Sequence, residues 1–273
     1  MDRRLLLAAL VVLVAVGTVA GALTIWSPMT GPSDPDRTYP AGAGADHINF
    51  STLESDDANV SHTPREYWDS YAIVYTAPPE RPIVEGDYYI DSSTGQTIAD
   101  RWHDATVYRN GTTYAFAQPA ESIPNEHQRK EFESDDAFVY DNTTETYYRY
   151  DPHYGQLAPT NIGQHTALLE AYAWKAINTT THHGVPVITY KVTGTRTNNS
   201  RIPGASNGTL QLGADHGIIY AYDLTLDADE RTYRYTYDVR PAPFPEHEWV
   251  DTAREIAGDT TNSSTERRHQ HLP

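Results

Sequence analysis

The stretch Ile218-Ile219-Tyr220-Ala221-Tyr222-Asp223-Leu224-Thr225-Leu226 decides the fold. Ile218, Tyr220, Tyr222, Leu224 and Leu226 fall on one face of an extended chain, and Ala221, Asp223 and Thr225 on the other. The turn Asp227-Ala228-Asp229-Glu230 leads into a second alternating run. There Tyr233, Tyr235, Tyr237 and Val239 oppose Thr232, Arg234, Thr236 and Asp238. Period-two alternation in two adjacent runs is a strand signal, with one apolar face and one wet face.

Upstream, Ile188, Tyr190 and Val192 alternate in the same way, and Leu210 and Leu212 follow after a polar connection, 196–208. Residues 185–240 therefore read as a four-stranded antiparallel meander. A helix over 161–178 is expected before it, because Leu168, Leu169, Tyr172, Ala173, Ala176 and Ile177 form a stripe at helical spacing. That stripe is expected to cover the tyrosine face. After the meander, Pro241 to Pro245 stop the strand, and a helix is expected from Pro245 to Ala257, closed by Gly258.

Earlier segments read as weaker strands at 71–76, 86–91 and 97–102. A capping box at Thr63-Pro64-Arg65-Glu66 predicts a short helix through Trp68. Asn110-Gly111 predicts a hairpin between 107–109 and 112–116. Residues 138–140 and 146–150 form a second hairpin, and the polar segment 118–136 between them reads as a loop. The fold class is α+β: a curved antiparallel sheet with two or three helices, spanning 61–258.

The N-terminus carries Arg3 and Arg4, followed by 22 uncharged residues, 5–26. As a helix they reach about 33 Å, enough to cross a bilayer of roughly 30 Å. Residues 1–26 are read as a membrane anchor, with the arginines inside and the domain outside. A signal peptide cleaved near Ala20-Gly21-Ala22 is the alternative. Residues 27–60 read as a disordered tether, and 259–273 as a disordered tail.

The net charge is −17, with three lysines (Lys130, Lys175, Lys191). This pattern suits molar salt, where a Debye length of about 3 Å screens the self-repulsion. It also argues against a nucleic-acid partner. There is no cysteine, so thiol catalysis and thiolate metal sites are excluded.

Eight of the eleven asparagines open an Asn-x-Ser/Thr sequon: Asn49, Asn59, Asn110, Asn142, Asn178, Asn198, Asn207 and Asn262. They fall in expected loops, turns, segment ends and tails, which makes them glycosylation candidates and agrees with a domain outside the cell. His182-His183, His269-x-His271 and Glu246-His247-Glu248 lack the spacing of a zinc enzyme and read as solvated loop and tail residues. Ser55-Asp56-Asp57 and Ser134-Asp135-Asp136 lack the spacing of a calcium loop. No catalytic motif is present, and no metal or cofactor is expected.

Twenty tyrosines stand against five phenylalanines. A tyrosine-lined concave sheet can be the protein's own core. It can also hold an amphipathic ligand, with rings inside and hydroxyls at the rim. The candidate ligand-binding residues are Ile188, Tyr190, Val192, Tyr220, Tyr222, Leu224, Tyr233, Tyr235, Tyr237, Leu168 and Tyr172.

Three segments carry a resemblance. They are Val187-Ile188-Thr189-Tyr190-Lys191-Val192-Thr193-Gly194, then 217–226, then Glu248-Trp249-Val250 followed by Ala253. With the N-terminal membrane segment and the mid-chain helix, they resemble the surface lipoprotein-like proteins of salt-loving archaea, related to the LolA/LppX half-barrel. The resemblance implies an unclosed β half-barrel with helices over its concave face. It also implies a lipid or lipoprotein acyl chain as partner. The chain departs from those relatives in lacking a lipobox cysteine, which fits a transmembrane anchor and sets aside a shuttling role. Three functions follow: binding of a lipid-like ligand, a structural or interaction component of the cell surface, and a carboxylate-dependent hydrolase. A cavity under the helix favours the first, a filled face the second, and converging carboxylates the third.

Overall fold

The computed structural model describes residues 37–55, 64, 66–78, 86–154, 164–196, 203–228 and 231–258. The expected anchor 5–26, the expected tail 259–273 and the sequons at Asn59, Asn198 and Asn262 lie outside the described residues. No helix among the described residues is long and apolar enough to cross a membrane.

The structure is dominated by one unclosed antiparallel sheet of twelve strands. The first seven are β1 (Ser70–Thr76), β2 (Gly86–Asp91), β3 (Thr97–Arg101), β4 (Ala105–Asn110), β5 (Thr113–Pro119), β6 (Val139–Asp141) and β7 (Thr146–Asp151). The last five are β8 (Tyr172–His182), β9 (Val185–Thr195), β10 (Gly204–Gly213), β11 (Ile219–Ala228) and β12 (Arg231–Pro241). Among the described residues four α-helices accompany them: α1 (Phe50–Ser55), α2 (Glu126–Ser134), α3 (Thr166–Leu169) and α4 (249–258). The spatial order is β6-β7-β5-β4-β3-β2-β1-β12-β11-β10-β9-β8. The pairing of β1 with β12 joins the two halves of the sheet.

The meander forms as expected, and its register follows the pattern that predicted it. Tyr222 lies opposite Tyr237, Leu224 opposite Tyr235 and Leu226 opposite Tyr233. Inward residues thus meet inward residues, and a slip of one residue would turn the whole set to solvent. The Tyr222 and Tyr237 rings stack at 5.4 Å.

The sequence misplaces four segments. The helix expected over 161–178 is a single turn, α3, followed by strand β8. Tyr172 and Trp174 point inward, at 0% and 2% exposure, whereas Ile177 is 42% exposed. A strand wins because β9 offers a free edge, which residues 172–182 pair along with two bulges. Ile177 and Thr179 to Thr181 are also β-branched. The Trp174 Nε1 donates to the Leu169 carbonyl at 2.9 Å, pinning the switch from turn to strand.

The expected loop 118–136 contains α2. Asn125 caps it by accepting from the Gln128 N–H at 2.9 Å. Phe132 packs with Phe138 at 4.7 Å and Phe116 at 5.8 Å.

Part of the expected tether is built into the core. Ile48 and Phe50 are 2% and 1% exposed. The Ala45 carbonyl accepts from the Ala176 N–H at 2.7 Å. Asn49 begins α1 by accepting from Ser51 Oγ and the Thr52 N–H. Two apolar side chains against the inner face outweigh the polar composition around them.

After Pro64 there is one turn rather than a short helix, with the Tyr67 and Trp68 N–H groups both donating to the Pro64 carbonyl. Two boundaries also shift. Asn110 pairs with Thr113, so Gly111 and Thr112 form the turn, with Gly111 at φ 55°. The last helix starts at 249, four residues beyond Pro245.

Two cores result. The larger runs along the inner face of β8 to β12 and β1 and continues through Tyr88, Val107 and Phe116. The smaller joins Ile98, Tyr108, Ala115 and Tyr148 to Val250, Ala253 and Ala257 of α4. Strands β3 to β5 are therefore covered on both faces.

Candidate functional site

The expected ligand face is assembled by β8, β9, β11, β12 and α3. Tyr172, Ile188, Tyr190, Tyr220 and Leu224 are 0% exposed, and Tyr222, Tyr235, Tyr237 and Val192 are also buried. Tyr233 and Leu168 pack at the margin, half-buried. All eleven lie in one cluster whose neighbours are other side chains of the same chain. Beneath Phe50 and Leu53 of α1, beside Thr166 and Ile219, is a space of about 30 Å³. That is room for one water molecule.

Burial controls the chemistry of this face, because a phenolate is costly away from water. It pushes the Tyr172 hydroxyl up to about 12. It pushes Tyr190, Tyr220, Tyr222 and Tyr237 further up. The Tyr172 hydroxyl donates to the Pro203 carbonyl at 3.0 Å. The Tyr220 hydroxyl meets His216 Nε2 at 3.3 Å. Burial also holds His216 below the ordinary histidine value, against the opposing charges of Asp215 and Glu66.

At the end of this face, imidazoles and aromatic rings collect. His182, expected as a solvated loop residue, has a side chain only 10% exposed. Its Nε2 lies 2.7 Å from the Val239 carbonyl oxygen and 3.4 Å from Asp238 Oδ1. The His183 ring is 4.6 Å from the His182 ring, and Trp68 sits edge-on to His183 and Tyr220. Period-two reading finds Tyr220 but not these partners. His182 sits at a turn, and Asp238 lies three strands away in the sheet order from the turn's second strand.

A second concavity lies outside the tyrosine face. Tyr108, Asn110, Thr113 and Tyr150 form one wall of a cleft of about 560 Å³, and Glu246, His247, Glu248, Val250, Asp251 and Arg254 form the other. The His247 ring stacks on Tyr108 at 5.2 Å and 15°. Arg254 Nη2 pairs with Asp251 Oδ1 at 2.6 Å. Glu246 and Glu248 stand just before the start of α4, where negative charge is favoured. Their facing wall comes from strands about a hundred residues or more earlier in the chain, which no local pattern reveals.

Asn49, Asn110, Asn142, Asn178 and Asn207 are all exposed. Asn178 sits on strand β8 rather than at a helix end, and Asn207 on β10 rather than in a connection.

No family model matches the chain. No curated protein matches it either. Among solved structures the chain has a weak neighbour, a LolA superfamily protein from Nitrosomonas europaea, at 9% identity and a TM-score of 0.18, covering 64% of this chain and 86% of that one.

Proposed function

We propose that this chain is a surface domain held at the membrane by residues 5–26 and displayed outside the cell, where its sheet is an interaction scaffold. One observation carries the scaffold reading. The tyrosine face, which an amphipathic ligand would need, is filled by the chain's own side chains, with Tyr190, Tyr220 and Leu224 at 0% exposure. The five described sequon asparagines are all exposed, which supports glycosylation and a place outside the cell. The low lysine count and net charge of −17 support adaptation to molar salt. Lowering salt from molar to tens of millimolar then lowers the melting temperature, and a constant value refutes that adaptation.

A second reading rests on Ile48 and Phe50, which enter the core from outside the sheet. An acyl chain that displaces this segment would occupy the same apolar wall, making the domain a lipid-binding half-barrel. Titration of the full chain with an environment-sensitive fluorescent fatty acid separates the two. The scaffold reading expects no stoichiometric uptake. Saturable one-to-one uptake that strengthens in Phe50→Ala establishes the lipid reading instead.

A further inference from the structure

We propose that His182, His183 and Asp238 form a binding site for a zinc-class divalent transition-metal ion, which clamps the sheet's edge strand to its joining strand. One ligand atom from each residue lies within 4.8 Å of the others. His182 Nε2 and Asp238 Oδ1 are 3.4 Å apart. Two ligands at roughly 2.1 Å from a tetrahedral ion stand about 3.4 Å from each other, so this pair is already at coordination spacing.

The donor chemistry selects the ion. Two imidazoles with one carboxylate suit zinc and its neighbours, whereas calcium and magnesium prefer sites built of oxygen. Three protein ligands leave a coordination position for water. His182 is fixed by its surroundings, with a side chain 10% exposed and a ring 5.8 Å from that of Tyr220. His183 is exposed at the turn between β8 and β9, so its ring can swing the remaining distance. Asp238 is 38% exposed, which gives the ion a way in from solvent.

His182 Nε2 faces the Val239 carbonyl oxygen at 2.7 Å. Coordination through Nε2 requires the neutral tautomer with its proton on Nδ1. The metal bond to Asp238 on β12 then replaces the hydrogen bond to Val239 on the same strand. The ion thus takes over a link that the fold already makes. His182 and His183 close β8 onto β9, whereas Asp238 belongs to β12, so one ion spans the curl of five strands.

The test uses the full chain in detergent, stripped with a chelator, then titrated with Zn²⁺ by calorimetry and with Co²⁺ by absorption. His183→Asn keeps a residue that tolerates the φ of 48° found there. Asp238→Asn keeps the size of the side chain. His182 stays in place, because its bond to Val239 supports the fold. A double variant, His269→Asn with His271→Asn, removes the other closely spaced histidines of the tail. We expect one Zn²⁺ per chain, a raised melting temperature with Zn²⁺, and Co²⁺ bands of low-symmetry nitrogen and oxygen coordination. His183→Asn and Asp238→Asn each weaken binding by more than about tenfold and abolish the thermal shift, and the tail variant changes neither. Failure of the parent chain to bind Zn²⁺ overturns the proposal. So does parent-like binding in both site variants, or loss of binding in the tail variant.

Discussion

His182, the last residue of edge strand β8, places its Nε2 2.7 Å from the carbonyl oxygen of Val239 on β12. The two strands are four steps apart in the sheet order. In a flat sheet that separation is about 19 Å, at roughly 4.8 Å per strand. The contact therefore measures a strong curl, and it ties down an edge strand without closing the sheet. His182→Phe keeps a ring but removes the bond, leaving the Val239 carbonyl unpaired. It should cost about 1–3 kcal/mol in denaturant unfolding with chelator present. An unchanged midpoint would show that the curl holds without this bond.

Leu224 is wholly buried between Val192, Gly208 and Tyr235. Leu224→Ala should lower stability by about 2–5 kcal/mol, a large share of the stability of an ordinary domain. If the face lines a ligand cavity instead, the midpoint stays put and uptake of a fatty-acid probe weakens.

Trp174 and Ile177 separate strand from helix in the segment 172–182. The helical stripe puts Ile177 with Tyr172 in the core, whereas β8 buries Trp174 and exposes Ile177. Trp174→Ala should cost about 3–5 kcal/mol, and Ile177→Ala should stay within about 0.5 kcal/mol. The reverse ranking, read from thermal unfolding, restores the helix.

The buried tyrosines set an alkaline limit. Tyr172 has an ordinary value of 10.0 and is pushed up to about 12 in the fold, and Tyr190, Tyr220, Tyr222 and Tyr237 are pushed further in the same direction. Above the ordinary value the unfolded chain loses these protons while the folded chain keeps them. Their contribution is thus fully present below about pH 10 and is lost as pH rises toward the folded values. Denaturant midpoints should fall steeply above about pH 10, less so in Tyr222→Phe. Phenolate absorbance from every tyrosine appearing near pH 10, with the fold intact, contradicts this.

The sequence by itself determined the strands of the meander and their register, because one apolar face in each strand leaves a single pairing that keeps Leu224 with Tyr235 inside. It also determined the hairpins at 107–116 and 138–150, through turn residues at 110–111 and 141–144, although the first turn sits one residue later than expected. Tertiary structure decided the state of 172–182, since Tyr172 and Ala176 satisfy both a helical and a strand period and only the free edge of β9 chooses between them. It decided that Ile48 and Phe50 belong to the core, because two apolar residues in a polar stretch carry no period. It also decided the cluster of His182, His183 and Asp238. That cluster depends on how far five strands curl, a sum of small twists that no local pattern records.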